Sequence, residues 1–147
     1  MRRCVLFFLV FTLLFSSSAL ANDVTLDSEP IDSIEFNLEG SPRYSYLTYM
    51  TIGLDIDENG YLSYGGSART IGYDLRITVT LQRSNNGVFW DDLESYVKTG
   101  RDYVSVSGSR TVEEGDYFYR AKIITDVFDS NRNILETATG YSSEERY

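Results

Sequence analysis

The chain lacks most of what staples or catalyses. Among 147 residues there is one cysteine, no histidine, and 13 basic residues against 22 acidic ones. With cysteine confined to Cys4 and histidine absent, Ser-His-Asp and Cys-His nucleophilic arrangements have no parts, nor do the commonest zinc ligands. No disulfide can form within the chain, so the fold must rest on its apolar core alone, and the length fits one domain of about 100–200 residues. A net charge of −9 argues against nucleic acid and anionic membrane surfaces, where Lys and Arg supply most of the affinity. Long apolar runs are also scarce. Residues 5–15, interrupted only by Thr12, form the one such stretch, and it is shorter than the roughly 20 residues that cross a bilayer.

That stretch has the anatomy of a secretory signal. Met1-Arg2-Arg3 is a basic n-region, residues 5–15 an apolar h-region, and Ala19-Leu20-Ala21 a small-x-small cleavage pattern, so cleavage after Ala21 is expected. Cys4 precedes the h-region and cannot be a lipid-bearing cleavage-site cysteine. Removing residues 1–21 takes Arg2 and Arg3 but no carboxylate, which moves the net charge from −9 to −11. An exported chain without cysteine suits a host that does not depend on oxidative folding, which points to a Gram-positive bacterium. The expected location is extracellular, as a freely secreted protein without a membrane anchor.

Residues 22–42 carry Asp23, Asp27, Glu29, Asp32, Glu35 and Glu39 and no basic residue, and read as an acidic leader or linker. Inside it Ile34, Phe36 and Leu38 alternate with polar residues, the pattern of an extra edge strand that caps the domain or pairs with another molecule's sheet edge. From residue 43 to 147 the chain is a succession of alternating runs and turns. Tyr44, Tyr46, Met50, Ile52, Leu54 and Ile56 share one face, and residues 57–60 close a hairpin into Leu62, Tyr64 and Ala68. Leu75, Ile77, Val79 and Leu81 form the cleanest half-buried strand, turned at residues 85–87; runs at 88–98, 104–106, 117–128 and 134–141 follow. Seven short strands with turns every 8 to 12 residues predict an all-β, immunoglobulin-like two-sheet antiparallel sandwich.

Residues 113–119, Glu-Glu-Gly-Asp-Tyr-Phe-Tyr, resemble the corner before the sixth strand of immunoglobulin and fibronectin type III domains, with Gly115 reversing the chain and Tyr117 as the corner tyrosine. Tyr119 stands where antibody domains keep a cysteine, so the resemblance is to the architecture and not to the disulfide-bonded subfamily. Across residues 43–147 the chain also resembles a family of small secreted Gram-positive proteins with no assigned activity. That resemblance is carried by Tyr44-Ser45-Tyr46, Leu54-Asp55-Ile56, Leu81-Gln82-Arg83, Gly87-Val88-Phe89-Trp90, Glu136-Thr137-Ala138 and Tyr141-Ser142-Ser143. It implies fold and origin and no ligand.

Three features invite a functional reading. Asp55, Asp57 and Asn59, followed by Gly60, resemble the first half of a calcium loop, but the twelfth position is Gly66 instead of a bidentate glutamate, which favours a solvated turn and no metal. Asp91, Asp92 and Glu94 follow Trp90, and Asp92 and Glu94 are expected on one face, as a glycosidase pair would be; a polar strand face explains them more simply. The 12 tyrosines and one tryptophan supply rigid contact area, with Tyr49, Trp90, Tyr96 and Tyr103 expected on outer faces or strand ends. The expectation is therefore a secreted, non-enzymatic binding module without cofactor, recognising a glycan, wall polymer or protein. The alternatives are a structural subunit that self-assembles by strand donation from residues 33–39, and a small carboxylate hydrolase.

Overall fold

A computed structural model describes residues 33–38 and 43–147. The segment read as a secretory signal, with Ala19 and Ala21, and most of the stretch read as an acidic leader lie outside the described residues. Seven strands make the described fold: β1 (Ser33–Asn37), β2 (Leu47–Ile56), β3 (Tyr61–Ser84), β4 (Asp91–Thr111), β5 (Phe118–Phe128), β6 (Ile134–Tyr141) and β7 (Glu145–Arg146). All pairings are antiparallel and join one sheet, curled into a half-barrel.

The curl comes from the β3–β4 ribbon. β4 runs beside β3 from Tyr61 to Arg83, so β2 and β5 must share the other edge of β3, β2 along its first half and β5 along its second. Between the halves the register jumps from Arg69 opposite Tyr103 to Asp74 opposite Arg101, leaving residues 70–73 against Asp102 alone. Such a bulge bends both strands. Gly72 (φ 81°) and Asp102 (φ 64°) take the left-handed conformation there. The Gly72 amide donates to Asp102 Oδ1 at 2.5 Å, and Arg101 Nη2 donates to the Gly72 carbonyl at 2.9 Å.

The bend folds two limbs face to face: β1, β2 and the paired 61–69 and 103–111 segments in one, β5, β6 and the paired 74–84 and 91–101 segments in the other. Leu75, Ile77, Val79 and Leu81, all fully buried, line one inner face with Ala121, Ile123 and Val127; Met50, Ile52, Leu54, Leu62, Tyr64 and Ala68 line the other. Each such aliphatic side chain contributes about 1.5–3 kcal/mol by leaving water. Gly140 lets the limbs touch, because a Cβ there would stand 3.0 Å from Met50 Cε and 3.1 Å from a Phe36 ring carbon. Glu136 on β6 ties them as well: its carboxylate accepts the amides of Ser45 and Tyr46 at 2.8 and 3.1 Å on Oε2 and of Leu47 at 3.1 Å on Oε1.

The all-β, antiparallel expectation holds, and its turns at 57–60, 85–87 and 129–133 are where the structure has them. The seven strands are differently composed. The runs read as separate at 62–68 and 75–82 are one strand, as are those at 88–98 and 104–106, while β1 and β7 restore the number. Both long strands are free to form because residues 43–147 contain no proline to remove a ladder donor. Two sheets that share no strand are not what forms. Tyr44 and Tyr46 precede β2 half-buried, and a register shift between Leu47 and Tyr49 turns Leu47 into the core. Tyr117 does not serve as a corner tyrosine: among the described residues its hydroxyl reaches no backbone group. Its ring instead lies where a Cβ on Gly115 would collide with it, the Arg83 guanidinium sits 4.5 Å from its centroid, and its backbone exchanges hydrogen bonds with Tyr147 at 2.9 and 3.0 Å.

If the Glu136 carboxylate holds the entrance of β2 as described, Glu136→Ala leaves three amides without their acceptor. Urea unfolding should then show a loss of about 2–3 kcal/mol with an unchanged slope. A loss below about 0.5 kcal/mol, the usual surface value, would mean that the clamp carries no stability.

Candidate functional site

Trp90, the chain's only tryptophan, follows the loop that joins β3 to β4. Ser84 Oγ accepts the amides of Asn86 and Gly87 at 3.2 and 2.9 Å, and Asn86 Oδ1 accepts those of Val88 and Phe89 at 2.9 and 3.0 Å. Gly87 takes φ 70°. Four backbone donors satisfied by two short side chains give a loop with one set conformation. It holds Val88 and Phe89 out in solvent at 70% and 78% exposure.

Beside this loop, the outer face of the second limb carries a fixed guanidinium. Gln82 on β3 stands opposite Asp92 on β4 and Arg120 on β5. The Arg120 Nε donates to Gln82 Oε1 at 2.8 Å, and Gln82 Nε2 donates to Asp92 Oδ1 at 2.7 Å, so the buried amide is satisfied at both ends. Arg120 Cζ lies 3.9 Å from the Trp90 ring centroid and 4.4 Å from that of Tyr141. Two such stacks contribute about 0.5–2 kcal/mol each and restrict the guanidinium plane. Among the described residues its two terminal nitrogens donate to no side chain or carbonyl and are not buried, so they are open to solvent. Lys122, on the same face, pairs with Tyr141. The result is an open plate with planar apolar surfaces and directed donors, the chemistry that takes sugar rings and their hydroxyl or carboxyl groups.

The four aromatic candidates do not form one patch. Tyr49 and Tyr103 converge on the outer face of the first limb, opposite Arg69 from either side, with Arg69 Cζ 5.8 Å from the Tyr103 centroid. They border an open depression of about 570 Å³ with Glu35, Asn37, Ser67 and Ile71. Tyr96 points the other way. It stands opposite Val79, on the inner side of β4, and its ring lies 6.3 Å from that of Tyr64. Asp92 and Glu94 do not share a face: a register shift at Leu81 and Gln82 sets Glu94 opposite buried Leu81 and Asp92 opposite outward Gln82, which removes the paired-carboxylate geometry. In the calcium-like loop, Asp57 Oδ1 accepts the amides of Asn59 and Tyr61 at 2.9 and 2.8 Å, which holds its carboxyl below the usual range, while Asp55 lies on β2 opposite Ser63. Among the described residues no three His, Cys, Asp or Glu side chains are grouped to hold a metal ion.

Sequence reading missed Arg120, Gln82, Tyr141 and Arg69, because each earns its place through a partner strand. The one local signal was Arg120's position two residues before Lys122 on an alternating strand. No family model matches the sequence, and no solved structure matches the fold.

Glu94 meets Tyr64 beneath Tyr96. The Tyr64 hydroxyl and Glu94 Oε1 are both buried without a hydrogen bond. Burial first, and the Glu94 carboxylate second, push the phenol well above its usual value near 10. A phenol raised in the folded state keeps its proton where the unfolded chain has lost it, so stability falls as pH climbs past about 10. Tyr64→Phe removes the orphan hydroxyl and this penalty together. The variant should match or exceed the parent by up to about 1 kcal/mol at pH 7 and lose stability less steeply above pH 10. A variant destabilised by more than about 1 kcal/mol would show that the hydroxyl has a partner.

Proposed function

We propose that this chain is an exported, non-enzymatic binding module that recognises a glycan or sugar-bearing wall polymer outside a Gram-positive cell. The observation that carries the proposal is the Arg120 guanidinium, held by Gln82 against Trp90 and Tyr141 with its terminal nitrogens open to solvent, beside a rigid loop presenting Phe89. Flat aromatic area and fixed donors lose little entropy on binding, so the plate is ready before a ligand arrives. The Tyr49–Arg69–Tyr103 depression repeats the same pairing of arginine and aromatic on the other limb and would extend contact along a polymer. In this reading the face-to-face limbs are a form of the immunoglobulin-like sandwich in which β3 and β4 serve both sheets.

A structural subunit that donates residues 33–39 to a neighbour has less support, because β1 pairs with β2 of its own chain over five residues. Catalysis by Asp92 and Glu94 has none, since the two carboxylates face apart.

The proposal is tested by pelleting residues 22–147, which hold the whole described sheet and core, with washed Gram-positive cell walls. Saturable binding should weaken at least tenfold, about 1.4 kcal/mol, in Trp90→Ala and in Arg120→Ala at a temperature where circular dichroism shows both variants folded. Each melts lower for the lost stacking, and Arg120→Ala also for the Gln82 Oε1 left without its donor. Retention of both variants at the parent's affinity would refute the assignment.

A further inference from the structure

Among the described residues the second edge of β4 is unpaired. Over its 21 residues β4 pairs with β3 alone among the described residues, so a row of backbone donors and acceptors faces outward. Such edges template pairing with another strand unless charge, proline or a bulge blunts them. The first part of β4 is blunted in this way by Asp91, Asp92, Glu94, Lys98, Arg101 and the bulged Asp102. Residues 103–109, Tyr-Val-Ser-Val-Ser-Gly-Ser, carry neither charge nor proline. They are also extended and in continuous register with β3, from Tyr103 opposite Arg69 to Ser109 opposite Ser63.

We infer that residues 103–109 pair antiparallel with the same segment of a second copy, across a twofold axis at Val106. A twofold axis at this residue sets Tyr103 opposite Ser109 and Val104 opposite Gly108, large against small, and Ser105 opposite Ser107. It also brings Asp102, the bulged residue whose Oδ1 holds the Gly72 amide, to the end of the pairing where Arg110 of the other copy lies, so charges of opposite sign flank the bare segment twice. Moving the axis by one residue puts Arg110 opposite Gly100 or Val104 and loses both pairs. Inner residues remain opposite inner ones, so each limb's polar outer face continues into its neighbour's. The first limb's four strands become eight, and the two Tyr103 depressions come onto one surface. For a polymer ligand, two copies of each site raise avidity without any new contact.

Sedimentation of residues 22–147 over a range of concentrations should show a monomer–dimer equilibrium. Ser105 and Ser107 are exposed, so both tolerate substitution. Ser105→Lys with Ser107→Lys opposes like charges twice across the axis and should raise the dissociation constant at least tenfold. Ser105→Lys with Ser107→Asp opposes unlike charges twice and should leave a dimer at least as tight as the parent. A parent that stays monomeric to millimolar concentration overturns the inference. So does any other pattern: both variants dimeric means another interface, and both monomeric, or the order reversed, means another register.

Discussion

The corner at residues 70–73 and Asp102 is the constraint on which the rest of the structure depends. β3 and β4 are each long enough to run through both limbs, and a flat ribbon of that length would leave the apolar faces of both limbs in water. Four residues set against one turn the ribbon and bring Leu75, Ile77, Val79 and Leu81 to face Ile52, Leu54 and Leu62. The left-handed backbone at Asp102 costs about 1 kcal/mol or more, less for Asp than for most residues. Its own carboxylate offsets this by holding the Gly72 amide, and Arg101 holds the carbonyl of the same glycine.

The corner also decides what faces outward and what stays unpaired. Because β3 is central in both limbs, its outward residues are flanked on each side. Gln82 therefore sits between Asp92 and Arg120, and Arg69 between Tyr49 and Tyr103. Because β4 follows β3 around the corner, it has no second neighbour among the described residues, and that edge is the one proposed to pair with a second copy. The outward pairing of arginine with aromatic side chains and the unpaired edge thus come from the same bend.

What was legible in the sequence was whatever depends on neighbours a few residues away. Strict alternation at 75–81 marks a fully buried face, and Asp57, Asn59 and Gly60 mark a turn whose carboxylate caps its own backbone. The join between the runs at 62–68 and 75–82 could not be read from alternation, because the bulge at residues 70–73, where Gly72 turns the chain, interrupts the period of two. Gly66, inside the first run, makes room instead, since a Cβ there would stand 2.8 Å from Ile123 Cδ1. A single extra residue near Leu93 put Asp92 and Glu94 on opposite faces, the cost of a period of two. Glu136 and Arg120 were invisible because their partners lie 89–91 and 38 residues away in the chain.

The central claim is that ligand meets the plate formed by Trp90, Arg120 and Tyr141 beside a loop that is already in place. It is tested most directly by titrating solubilised Gram-positive wall polysaccharide into isotope-labelled residues 22–147 and following backbone, indole and guanidinium resonances by NMR. The account predicts saturable shifts concentrated at Phe89, the Trp90 indole, the Arg120 guanidinium and Tyr141, with the inner-face residues of β3 unmoved. Saturable shifts that leave these four groups unmoved, or no shifts at all, would contradict it.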